Sequence, residues 1–121
     1  MPTVTLVMAW GPGHPAGKET PRTEMDFTLD AHGHPDPEAW RNDPSPWRAR
    51  RVWPGAEDWE GDVQYDPDTG WALRFFPVAA AAPDAPLHEL VQLGGPLRPG
   101  EIVTIREPDG ALNAWRIVSV R

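Results

Sequence analysis

Two histidines one residue apart, followed by a carboxylate, stand in Asp30-Ala31-His32-Gly33-His34-Pro35-Asp36. In an extended segment alternate side chains leave on the same side. His32, His34 and Asp36 could then present two imidazoles and a carboxylate to one divalent metal ion, with His14 as a further donor. The same residues also make a polar turn punctuated by Gly33 and Pro35, with no ligand required.

A second group is acidic. Glu57, Asp58, Glu60, Asp62, Asp66 and Asp68 invite a calcium reading, but their spacing does not match an EF-hand loop, and at Asp66-Pro67-Asp68 turn chemistry accounts for the residues. A third group lies just upstream, where Trp40, Arg41, Trp47, Arg48, Arg50, Arg51 and Trp53 interleave indoles with guanidinium groups. Trp and Arg are enriched at interface hot spots, so this stretch is the candidate binding surface for another protein. It could also stack bases, or fold back on the acidic run as an ion-paired loop. Nucleophilic catalysis finds little footing. Ser45 sits between prolines, Ser119 lies in a β-branched run, and there is no cysteine.

The run His32-x-His34-x-Asp36 resembles the opening of the His-x-His-x-Asp-His pattern of metallo-β-lactamase-like hydrolases. Pro37 stands where that pattern has its final histidine, and the remaining ligands would have to come from His14 and His88. The resemblance implies a small metal-dependent enzyme, the alternative to a protein that works by contact.

A chain of 121 residues fits one domain over residues 1–121 with a modest core. The 16 prolines and 11 glycines make long helices improbable, and seven tryptophans argue against disorder. A net charge of -7 disfavours nonspecific attraction to nucleic acid or to an anionic membrane. The absence of cysteine removes disulfides and thiolate metal sites. The first ten residues lack a basic leader and their apolar run is too short for a membrane span, so the expectation is a cytoplasmic protein or a part of a larger assembled particle.

The elements that would position these residues are strands. Val63 to Asp66 and Ile102 to Arg106 each run into a Pro-Asp-(Thr)-Gly turn and resume an apolar segment, at Trp71 to Phe75 and at Trp115 to Val120. Proline presets the first corner of a type I turn, Asp accepts local hydrogen bonds, and Gly takes the left-handed closure, so both are antiparallel hairpins. Val4, Leu6, Met8 and Trp10 share one parity of a further strand, and Met25, Phe27 and Leu29 of another. Residues 11–22 read as a flexible arm, 40–61 as an irregular segment and 79–86 as an Ala/Pro connector. Asp36 caps one helical turn with Pro37 at its first position. Leu87, Glu89, Val91 and Leu93 alternate as a strand, although Asp84 could also cap a short helix there.

These signals predict a mainly β protein: a small barrel or β-roll of five or six short antiparallel strands, with long Pro/Gly-rich loops and at most two short helices. The hairpin architecture is similar to that of small connector and tail proteins of bacteriophage-like particles, a likeness of fold alone. The functional expectation is a non-enzymatic adaptor, inhibitor or assembly component that meets another protein or a second copy of itself. An acidic mimic of nucleic acid is a further reading, resting on charge.

Overall fold

Barrel closure explains more of this chain than hairpin chemistry does. The computed structural model describes residues 1–10, 18–76 and 87–121, without the side chains of 18–20. The expected connector 79–86, Asp84, His14 and positions 11–17 of the expected arm lie outside those residues.

Eight strands follow one another in space as in sequence: β1 (Thr3–Trp10), β2 (Lys18–Asp26), β3 (Arg48–Val52), β4 (Trp59–Asp66), β5 (Gly70–Phe75), β6 (Leu87–Leu93), β7 (Ile102–Arg106) and β8 (Leu112–Val120). Every neighbouring pair is antiparallel, and β8 returns to pair with β1, so the sheet is a closed up-and-down barrel. Closure removes the unpaired edges that a sheet of this length would otherwise expose. Register shifts between Val7 and Met8 and between Thr5 and Leu6 mark irregularities in β1. They bend the strand, and Leu6, Val7 and Met8 are all buried there.

Both predicted hairpin turns are present. Gly110 donates its amide to the Glu107 carbonyl at 2.9 Å with φ of 91°, and Asp109 accepts from the Ala111 amide at 2.9 Å. In the β4–β5 turn Gly70 has φ of 85°, while the accepting carboxylate is Asp66, which receives the Asp68 amide at 2.7 Å.

The strand count exceeds the expected five or six for two reasons. β3 forms inside the segment 40–61 that reads as irregular, and β2 begins at Lys18, inside the expected arm. Segment 87–93 resolves as strand β6. Among the described residues there is one helix, α1 (Pro37–Asn42), capped by Asp36, whose carboxylate accepts the Glu38 and Ala39 amides at 3.0 and 3.2 Å. The run Met25 to Leu29 is shorter than expected. β2 ends at Asp26, and Leu29 makes only an isolated bridge to Pro35.

The two barrel ends differ. At one end the β2–β3 connection, carrying α1, covers the opening: the Trp40 indole donates to the Val63 carbonyl at 2.9 Å, and the Leu97 amide to the Gly33 carbonyl at 2.8 Å. Beneath it Phe27, Trp47 and Trp71 pack together, with ring centroids 5.2 to 6.0 Å apart, and Tyr65 lies 4.7 Å from Trp71. This aromatic layer, with Met25, Val63 and Leu73 behind it, closes that end with apolar bulk. At the other end, among the described residues, the β3–β4 and β7–β8 connections flank an opening, and buried Arg51 and Glu89 enter the interior beneath it.

Candidate functional site

Inward parity along β3 runs Trp47, Ala49, Arg51, with Trp53 just beyond the strand. A pleated strand sends these positions to one face, so Arg51 enters the barrel while Arg48 and Arg50 face out. Glu89 enters by the same rule from β6, between Leu87 and Val91. The two meet across the interior: Arg51 Nη2 lies 2.6 Å from Glu89 Oε1 and Nη1 3.3 Å from Oε2, with both side chains about 98–99% buried. Arg51 Nε donates to Thr23 Oγ1 at 2.7 Å, so the guanidinium ties β3 to β2 and β6.

Aromatic faces surround that cation. The guanidinium carbon lies 4.7 Å from the Trp115 ring centroid, 5.2 Å from Phe75 and 5.5 Å from Trp53. A desolvated cation gains from such quadrupoles, which offsets part of the cost of removing Arg51 from water.

Above the pair a cavity of about 490 Å³ opens at the mouth, bounded by Trp53, Trp59, Leu87, Glu89, Glu107 and Pro108 among the described residues. Trp53 and Trp59 meet edge to face at 5.2 Å and form its aromatic side. Glu107, just past the end of β7, continues the inward parity of Val103 and Ile105. Its Oε1 accepts from Asn113 Nδ2 at 2.6 Å. Burial, then the nearby Glu89 carboxylate, push the Glu107 carboxyl above its ordinary value; the Asn113 hydrogen bond and Arg51 pull the other way. The indole nitrogens of Trp53 and Trp115 are buried and have no hydrogen-bond partner among the described residues. Buried donors of this kind are rare enough in folded proteins to call for an acceptor.

The residues expected to form an outward Trp/Arg surface are thus dispersed. Trp47 is a core side chain, 1% exposed, its indole nitrogen bonded to Asp43 at 2.9 Å. Arg51 is inside the barrel. Both depart from the expected surface because β3 is a strand, which forces alternate residues inward. Trp40 and Trp53 are half-buried, at opposite ends of the barrel. Arg41 pairs with Glu38, and Arg50 lies within 3.8 Å of Asp58 and 3.5 Å of Glu60, as an ion-paired surface does. Arg48 is exposed beside Glu24, Asp26 and Glu60.

The imidazole cluster is a turn. Asp30 Oδ1 accepts the backbone amides of His32 and His34 at 2.8 and 3.0 Å, and Asp36 is engaged as the cap of α1. Among the described residues no group of three His, Asp or Glu side chains is placed to hold a metal ion. Within the acidic run, Asp62 holds Arg74 through two bonds of 2.9 and 2.6 Å, and Asp66 serves its turn.

Reasoning from sequence passed over Glu89, Glu107 and Asn113. The available signal was parity: each is a polar residue in the apolar phase of a strand or its direct continuation. No helix among the described residues is long and apolar enough to cross a membrane. Compared with family models, curated proteins and solved structures, the chain matches none.

Proposed function

We propose that this chain is a non-enzymatic ligand-binding barrel that takes a small organic molecule into its mouth. The observation that carries the reading is a 490 Å³ cavity resting on a buried Arg51–Glu89 pair. An eight-stranded barrel has an interior just wide enough to be filled by side chains or to hold one small ligand. Among the described residues the α1 end is filled and the other end holds the cavity. Small-molecule sites are concave and mostly apolar, with a few fixed polar groups, which describes this mouth. Among the described residues, its wall carries two carboxylates, Glu89 and Glu107, as its titratable groups. Contact with another protein through residues 40–53 loses support because Trp47 and Arg51, two of its expected anchors, face inward.

Calorimetric titration with phenylbutanol, a neutral apolar probe, tests this reading. One saturable site is expected. Ala56 borders the cavity on an exposed loop, so Ala56→Trp should fill it and weaken the probe at least about tenfold while leaving the melting temperature unchanged. Probe binding that is absent, or indifferent to Ala56→Trp, contradicts it.

A further inference from the structure

We infer that the mouth selects an organic cation, an ammonium group on an apolar body, over neutral and anionic molecules of the same shape. This inference rests on the reading of the mouth as a ligand site.

Charge bookkeeping inside the mouth comes first. Two carboxylates, Glu89 and Glu107, border the cavity, and the buried cation Arg51 is bonded bidentately to Glu89. Glu107 has a neutral partner, Asn113, and makes no ion pair among the described residues. Among the described residues one negative charge is thereby left beside an apolar wall. A ligand bearing positive charge would complete that balance, whereas an anion would meet the Glu107 carboxylate at close quarters in a poorly solvated site.

Aromatic geometry points the same way. The protein already holds one cation against Trp53, Phe75 and Trp115, with its charge centre 4.7 to 5.5 Å from the ring centroids. Trp59, edge to face with Trp53, extends this aromatic wall into the cavity. Indole faces beside a carboxylate are the chemistry by which quaternary and primary ammonium groups are recognised. Leu87 and Pro108 supply apolar surface for the rest of the molecule. At longer range the net charge of -7 draws cations toward the molecule.

Protonation of Glu107 removes the charge that the ligand needs. The groups that face it are Glu89 from β6, Arg51 from β3, Asp109 from its own turn and Asn113 from β8. Burial and Glu89 raise its proton affinity, so cation binding weakens at a higher pH than an ordinary glutamate would dictate.

The test compares three molecules with one body: phenylbutyl-trimethylammonium, phenylbutanol and phenylbutanesulfonate, titrated calorimetrically at about pH 8 and about pH 5. At the higher pH the cation is expected to bind at least about tenfold more tightly than the anion. Glu107→Gln should remove most of that preference and its pH dependence. If phenylbutanol binds but the cation holds no advantage, or Glu107→Gln leaves the advantage intact, the charge inference is overturned and the binding reading stands. If none of the three binds, both are overturned.

Discussion

Arg51 occupies an inward β3 position whose neighbours on the same parity, Trp47 and Ala49, are core residues. An ion pair with both members about 98–99% buried is bound to its partner more by the cost of separation than by net gain. Arg51→Met should therefore destabilise the protein by about 3–5 kcal/mol, because it strands the Glu89 carboxylate, while Arg51→Met combined with Glu89→Leu should recover most of that loss. Urea denaturation of the two variants checks the pair, and equal instability of the single and double variants would contradict it. At the other end Trp47→Ala should cost about 3–5 kcal/mol, as expected for emptying a core tryptophan site. Gly61 is a different case. A Cβ there would overlap the Arg74 carbonyl oxygen on the paired strand, so Gly61→Ala should cost more than about 2 kcal/mol in the same measurement.

Glu107 gives a pH signature of its own. Its carboxyl is raised in the folded chain, so the native state holds this proton to higher pH than the unfolded state does. The associated stability is complete below the ordinary glutamate range and is lost as pH rises through the raised value. Glu107→Gln, which keeps an acceptor for Asn113, should melt higher than the parent at neutral pH and equal to it at about pH 4.

Among the elements, the β2–β3 connection shows how a Pro-rich stretch can be ordered without regular structure. Asp30, Asp36 and Asp43 each hold backbone amides of their own segment, and Asp43 also holds the Trp47 indole. The amides of His34 and His32 keep the Asp30 carboxyl below its ordinary value, and the Ser45 amide with the Trp47 indole does so for Asp43. Their contribution is present above the ordinary aspartate range and disappears as pH falls, opposite in sign to that of Glu107. Asp36→Ala, which removes the cap of α1, should cost about 1 kcal/mol by urea denaturation.

The same connection shows what was legible in the sequence. The Asp36 cap and the two Pro-Asp-Gly turns are local, since the residues that make them lie within a few positions of one another, and they were readable. β3 was hidden because Pro44, Pro46 and Pro54 flank a five-residue strand rich in arginine, whose hydrogen-bond partners on β2 and β4 are set by closure. Parity in Trp47, Ala49, Arg51 and Trp53 was visible, but charge on Arg51 argued for solvent. Its ion partner lies 38 positions away, beyond any local pattern.

For the molecule as a whole, the strand count and the pairing of β1 with β8 follow from closure, a relation between the two ends of the chain that periodicity within a segment does not carry. Among the described residues the β2–β3 connection and the aromatic layer fill one end, and the cavity lies at the other. The mouth assembles residues from β3, β4, β6 and β7 or just beyond them, and none of these segments alone marks a site.

Indole N–H resonances offer the most direct view of that contrast, because tryptophans stand at both ends. In a nitrogen-proton correlation spectrum titrated with phenylbutanol, the Trp53 Nε1–H signal is predicted to move progressively to saturation. The signals of Trp40 and Trp47, bonded to the Val63 carbonyl and to Asp43 at the filled end, are predicted to stay in place. Movement of Trp40 or Trp47 with Trp53 unchanged, or no movement at saturating probe, would contradict a ligand site at the mouth.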